Sequence, residues 1–195
     1  MTNSDLSLRL ARPVEARDIA CLSRDLIERG LPWRWTPPRV AASIRAPNVN
    51  VLVAYARENL VGFALMRYGD NDAHLDLLAV VPSYRLLGVG RRLLEWLEKC
   101  AVVAGIDKVT LEVRAANKGA QLFYQHMGYR IVTRIHGYYQ GIEDALRMER
   151  ILLCRSESEE NSVATLLNLA KLLGPEFYHQ TLWLTRSVGT KKIGS

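Results

Sequence analysis

The run 78–92, LAVVPSYRLLGVGRR, carries the sharpest chemical signal in the chain. A strand ends near Pro82, and Arg85-x-x-Gly88-x-Gly90 then opens a long helix. The first backbone N–H groups of a helix have no intrahelical partner, and they sit at the positive end of the helix dipole. Such a turn suits an anion. Glycines at 88 and 90 keep a Cβ out of the approach, and Arg85, Arg91 and Arg92 add positive charge nearby. The ligand chemistry that fits is a pyrophosphate. No Gly-Lys-Ser/Thr follows, so this is not a Walker A loop. The three-glycine dinucleotide fingerprint is absent as well. From the glycines alone, a plain strand-to-helix turn is an equal alternative.

A second segment narrows the choice. About twenty residues on, the run 111–129 reads LEVRAANKGAQLFYQHMGY. The pair of segments resembles the GCN5-related N-acetyltransferase (GNAT) superfamily over roughly residues 6–153. Arg85-x-x-Gly88-x-Gly90 matches its acetyl-CoA phosphate loop. Asn117, Ala120, Tyr124 and Gly128-Tyr129 match its second motif, whose helix flanks the pantetheine arm. Arg85 stands where glutamine is frequent, and arginine suits phosphate there. Glu112 and Arg114, with Arg134, Tyr138-Tyr139, Glu143-Asp144-Ala145 and Met148, look like the RimI-like branch, the ribosomal-protein-alanine N-acetyltransferases and their N-terminal acetyltransferase relatives.

The resemblance implies acetyl-CoA as cosubstrate, contacted by Leu78, Ala79, Val80, Arg85, Leu86, Leu87, Gly88, Val89, Gly90, Arg91, Asn117 and Tyr124. It implies Glu112 as general base and Tyr124 as general acid. Tyr138 and Tyr139 would grip the acceptor, and Trp33 is expected beside them. The residue chemistry agrees. Acetyl transfer needs a neutral amine, and a free α-amine loses its proton at pKa ~7.7–8.0, within reach of a carboxylate acting through a water. A phenol can protonate the leaving thiolate. Backbone N–H groups near Val80 could polarise the thioester carbonyl. Each residue also has a plainer reading. Glu112 would be an exposed strand carboxylate, Tyr124 core packing, Asn117 only a helix cap, and Trp33 and Trp35 pins for their loop. Tyr138 and Tyr139 alternate across a strand, so both face the site only if the strand is irregular.

Periodicity supplies the elements that must hold these groups. Leu6–Leu10, 49–57, 60–68, 74–81, Lys108–Arg114, 129–136 and 145–153 read as strands. Residues 13–28 read as a helix with Ile19, Leu22, Leu26 and Ile27 on its apolar stripe. Residues 39–45 read as a short helix, and LPWRWTPP (31–38) as the loop between the two. Residues 88–104 form a strong amphipathic helix, with Val89, Leu93, Leu94, Leu97 and Cys100 on one face. A second helix runs from Asn117 to Met127, stopped by Gly128. The expected fold is α/β (α+β): a central mixed, mostly antiparallel sheet flanked by helices in two or three layers.

The chain has 195 residues, enough for one domain with a sizeable core. Hydrophobic residues make up 49% and charged residues 24%, which excludes wholesale disorder. The formal charge of +6 is spread thinly, with no basic tail or face, so no nucleic-acid partner is expected. No apolar run is long enough to span a membrane, and residues 1–12 lack a signal peptide's apolar centre. The reading is a soluble, cytoplasmic transferase of residues 6–153. Cys21, Cys100 and Cys154 and the four histidines lack zinc-like spacing, so no metal is expected. Residues 154–195 read as a charged linker and a helical extension. Its apolar helix near Leu166 and Leu173 would pack on the sheet edge or on a second subunit of a homodimer, or would be loosely attached. The expected acceptor is a protein N-terminal α-amine. Alternatives are a small amine or a lysine, or a non-catalytic acyl-CoA-binding module.

Overall fold

The computed structural model describes residues 6–152. Seven strands form one sheet: β1 (Leu6–Leu10), β2 (Val49–Ala56), β3 (Asn59–Tyr68), β4 (Asp72–Val80), β5 (Lys108–Arg114), β6 (Arg130–Tyr139) and β7 (Glu143–Ile151). Their order across the sheet is β1-β2-β3-β4-β5-β7-β6. Every neighbouring pair is antiparallel except β4 and β5. A parallel pair needs a crossover, and helix α3 (Val89–Val103) supplies it. The expected mostly antiparallel sheet with flanking helices is the fold observed, whereas the extension of residues 154–195 lies outside the described residues.

Helices cover both faces. On one, α3 and α4 (Lys118–His126) bury Leu93, Leu94, Leu97, Cys100 and Tyr124 against β2–β5. On the other, α1 (Ala16–Leu26) and α2 (Pro37–Arg45) bury Ile19, Ala20 and Val40 against Val51, Val53, Phe63 and Leu65. Strand alternation feeds both cores, since successive side chains point to opposite faces.

Strand β4 departs from that alternation at one residue. Leu65 pairs with Leu77 and Met66 with Leu75, so Asp76 has no partner on β3. Such a bulge shifts the facing of everything after it. Ala73 and Leu75 belong to the α3/α4 core, whereas Leu77 and Ala79 belong to the α1/α2 core. The parallel pairing with β5 also stops there, at Leu75↔Leu111. Beyond this point β4 and β5 separate, and the sheet opens into a wedge.

Two helix ends differ from expectation because buried carboxylates hold the backbone. Residues 13–15 form a 3-10 turn before α1, where the Glu15 carboxylate accepts the Arg12 N–H at 2.7 Å and both Arg9 terminal nitrogens at 2.6 and 2.7 Å. After α1, buried Glu28 accepts the backbone N–H groups of Arg34 at 2.6 Å and Trp35 at 3.2 Å. That carboxylate shapes the loop between α1 and α2.

Candidate active site

A cleft of about 1200 Å³ follows the wedge and reaches both faces of the sheet. At its α3 end, Gly88 caps the helix with φ +78°, the left-handed region that L side chains resist. Arg92 N–H donates to the Gly88 carbonyl at 3.0 Å and closes the first turn. The N–H groups of Val89, Gly90 and Arg91 precede that bond and by helix geometry lack an i−4 carbonyl. Gly90 packs close to α4 and β4: a Cβ there would lie 3.5 Å from Phe123 and from Val80.

Strand geometry aims further backbone groups into the wedge. Val81 N–H donates to the Val61 carbonyl of β3 at 2.8 Å. Backbone groups alternate sides along a strand, so those of Val80 point away from β3, into the wedge. The Val80 carbonyl accepts from Arg85 Nε at 3.1 Å, which draws that guanidinium to the wedge mouth. A cradle of free N–H groups, a left-handed glycine and an arginine fits the pyrophosphate and pantetheine of CoA.

Of the expected cosubstrate contacts, Leu78, Ala79, Val80, Arg85, Leu86, Gly88, Val89, Gly90, Arg91, Asn117 and Tyr124 line the cleft. Leu87 does not, and its side chain is left to solvent at 53% exposure. Arg92 also turns away, reaching the Leu6 carbonyl of β1 at 3.4 Å. Arg91 pairs with Glu95 at 2.7 Å on the exposed helix surface. Asn117 caps α4, its Oδ1 accepting the Ala120 N–H at 3.1 Å, while also lining the cleft.

Tyr124 stands on the α3/α4 side of the wedge. It is buried, and its ring meets Phe123 and Tyr129 edge-on at 5.1 and 5.7 Å. Burial pushes its phenol well above the ordinary value. The hydroxyl therefore stays protonated and available as a donor.

Glu112 stands on the other side. Leu111 and Val113 enter the α3/α4 core, so Glu112 faces the α1/α2 layer. Its side chain is only 7% exposed, which removes the exposed-carboxylate reading. Arg147 Nε donates to Oε1 at 2.8 Å, and Tyr138 OH donates to Oε2 at 3.3 Å. His74 Nε2 lies 3.1 Å from Oε2, while His74 Nδ1 lies 3.0 Å from Thr110 Oγ1. Burial opposes ionisation of Glu112, but the hydrogen bonds from His74 and Arg147 outweigh it and hold the carboxyl at about 2.

Tyr138 and Tyr139 both line the cleft, because β6 is irregular. Pairing steps from Ile135↔Ala145 to Tyr139↔Glu143, which leaves three residues of β6 against Asp144 alone. Gly137 takes φ +62° in this bulge. The Asp144 carboxylate pegs it by accepting Gly137 N–H at 2.9 Å and Arg134 Nε at 2.7 Å. Those bonds, the backbone one foremost, lower the carboxyl's pKa. The two tyrosine rings then meet at 5.0 Å and 86°.

Trp33 is not among the lining side chains. It packs into the α1/α2 core, with its Nε1 buried and unpartnered among the described residues. Trp35, two residues on, packs against the same core and also lines the cleft, with the Arg39 guanidinium 4.1 Å over its ring. His74, Asp76, Arg67, Glu28 and Arg34 also line it, and Arg147 reaches it through Glu112. No local pattern marks these residues. His74 meets Glu112 only through the parallel pairing of β4 with β5.

Known proteins show what this chain is similar to. The family model described as acetyltransferase (GNAT) family matches residues 22–129. An uncharacterized N-acetyltransferase of Methanocaldococcus jannaschii is 37% identical over 97 residues, covering 49% of this chain and 62% of that protein. The ribosomal protein bS18-alanine N-acetyltransferase of Salmonella typhimurium is 35% identical over 96 residues, covering 48% and 65%. The chain thus spans less than two thirds of the length of such curated relatives, between 53% and 65%. Among solved structures, Ard1 from Thermoplasma volcanium superposes with a TM-score of 0.68 at 25% identity, covering 77% of this chain and 99% of that one. With more than half of its residues inside the matched region, the chain belongs to the acetyltransferase (GNAT) family.

Proposed function

We propose that this chain transfers an acetyl group from acetyl-CoA to a protein N-terminal α-amine, through a transferase unit of residues 6–153. The observation that carries the proposal is the single cleft through the β4/β5 wedge, with a phosphate cradle at one end and the Glu112–Tyr138–Tyr139 cluster at the other. A volume of about 1200 Å³ exceeds the ~300–1,000 Å³ usual for a small-molecule pocket. It leaves room for an extended peptide beside the cosubstrate. Relatives of this chain are named for N-acetylation of an alanine of ribosomal protein bS18, which supports a protein acceptor here.

When bound, acetyl-CoA supplies an activated thioester carbonyl. Val80 N–H, aimed into the wedge, donates to that carbonyl oxygen. The amine nitrogen forms the new C–N bond as the C–S bond breaks; Tyr124 OH donates to the departing sulfur and passes it a proton, and the proton the amine releases returns to the phenol through water. Glu112 acts on the amine. A carboxyl held at about 2 is ionised throughout the working range, so it keeps little affinity for a whole proton. It instead stabilises the positive charge that develops on the attacking nitrogen, and a water carries the proton away.

The test is a panel of acceptors with CoA release as readout: N-terminal peptides of ribosomal proteins, N-blocked lysine peptides and small amines. Turnover on free N-terminal peptides, with acetylation at the α-amine by mass spectrometry, is expected. No turnover of any peptide, with clear turnover of one small amine, would overturn the reading.

A further inference from the structure

We propose that the acceptor end of the cleft selects peptides carrying a carboxylate side chain within the first few residues after the acetylated one, and that Arg34 and Arg39 read it. The inference rests on the N-terminal acceptor reading above and names its substrate class.

Charge is unbalanced at the acceptor end of the cleft. Three carboxylates line this end, and each is engaged. Glu28 accepts the backbone N–H groups of Arg34 and Trp35 and the Ser23 hydroxyl. Asp76 takes both Arg67 Nε at 2.5 Å and Arg67 Nη2 at 2.7 Å. Glu112 is held by Arg147, His74 and Tyr138. The guanidiniums of Arg34 and Arg39 line the same end with no ion pair among the described residues. Arg34 uses its backbone N–H on Glu28, leaving its side chain exposed. Arg39 sits with its guanidinium carbon 4.1 Å from the centre of the Trp35 ring, and a cation held over an aromatic face keeps its N–H groups available to an anion.

A guanidinium with no ion pair is shaped for a carboxylate, which it binds through two parallel N–H···O bonds. Glu28 ties the loop backbone at Arg34 and Trp35 to the end of α1, and Arg39 stands in the first turn of α2 that follows, so both charges are presented from fixed backbone. A peptide advances ~3.3–3.6 Å per extended residue. A chain whose amine lies at Glu112 therefore carries its next side chains along this loop, as Trp35 and the paired tyrosines line the same cleft. The phosphate cradle lies at the opposite end and has its own arginine, Arg85.

Peptides of equal length with one common first residue test this, with Asp/Glu, Ser/Gln or Lys/Arg at positions two to four. The expected order of kcat/KM is acidic, neutral, basic, with about a tenfold span between the extremes. That span should shrink as salt rises from ~0.01 M to ~1 M and the Debye length falls from ~30 Å to ~3 Å. The double variant R34Q/R39Q should bring the acidic-to-basic ratio close to one, and R39E should invert it. Equal or better use of basic peptides by the unaltered protein overturns the proposal, as does an acidic preference that survives R34Q/R39Q. Turnover with no charge preference defeats this inference alone. No turnover of any peptide defeats the N-terminal reading and this inference with it.

Discussion

At the α3 end of the cleft the chemistry is carried by backbone, while at the β5–β6 end it is carried by side chains. The first end uses consecutive residues: a left-handed Gly88, helix amides after it, and Val80 N–H in the preceding strand. The second end gathers residues from five separate stretches of chain, with Glu112 joined to His74, Arg147 and Tyr138, and Glu28 shaping the loop opposite. A backbone site tolerates side-chain change as long as φ is respected. A side-chain network fails when one member is removed, because its partners are left buried and unpaired. Mutations at the two ends should therefore separate binding of the cosubstrate from use of the acceptor.

The largest effect is expected where the two ends meet. Tyr124→Phe removes the donor to the leaving sulfur and keeps the ring packing against Phe123 and Tyr129. A fall in kcat of at least ~100-fold is expected, with the dissociation constant for acetyl-CoA nearly unchanged. Stopped-flow turnover beside calorimetric titration reads both. Unchanged kcat would take the phenol out of the reaction.

Next comes Glu112→Gln, with kcat/KM for peptides expected to drop ~10–100-fold while CoA binding holds. The pH dependence sharpens the point. Its folded pKa of about 2 lies below the ordinary 4.5, so its contribution to stability is present above pH 4.5 and is lost as pH falls towards 2. Glu15 behaves alike: burial opposes its ionisation, and hydrogen bonds from Arg9, Tyr55 and the Arg12 backbone bring it to about 2 as well. Acid unfolding below pH 4.5 should thus lessen partly in Glu112→Gln and partly in Glu15→Gln. Only the first should lose turnover. In the active range the kcat/KM profile should follow the acceptor amine near pKa ~7.7–8.0, with no limb from Glu112. A limb between pH 5 and 6 that vanishes in Glu112→Gln would mean the carboxylate takes the proton itself.

The contrast between the ends also explains what could be read from the chain. The phosphate loop is local, so its turn and its helix were legible from spacing, while the ligand it suits came only with the resemblance carried by the second segment. Strand positions were legible too, since alternation is local. The Asp76 bulge was not, and it decides which core Leu77 and Ala79 enter. His74 and Arg147 carry no pattern of their own, for they reach Glu112 only after β4 and β7 have both paired with β5. Trp33 and Trp35 are indistinguishable in a loop reading. The bonds from Glu28 to Arg34 and Trp35 hold the backbone between them; both rings pack against the α1/α2 core, and only that of Trp35 also reaches the cleft.

Asp144→Ala probes how far the acceptor end depends on its support. The carboxylate holds the β6 bulge that brings both tyrosines to the cleft. Its removal leaves a loosened bulge at an exposed site rather than a buried charge, so an intermediate effect is expected. KM for a good peptide should rise several-fold, with CoA affinity unaffected. Equal loss at both ends would mean that the cleft is one cooperative unit.

The smallest effects are expected within the backbone end, and there two glycines should behave differently. Gly88 has φ +78° and open space where a Cβ would go. Gly88→Ala therefore meets strain rather than a clash, worth ~1–2 kcal/mol in the left-handed region. It should lower the melting temperature by a few degrees and weaken CoA binding several-fold. Gly90 has no such φ, and a Cβ there would sit at an ordinary 3.5 Å from Phe123 and Val80. Gly90→Ala should leave stability nearly intact, with any loss confined to CoA binding, because the methyl enters the lining and not the fold. Thermal melts with and without CoA distinguish the two: the Gly88 variant falls in both, the Gly90 variant only in the gain that CoA confers. A Gly90 variant as unstable as the Gly88 one would show that the α3 end depends on tight packing against α4 as much as on backbone conformation.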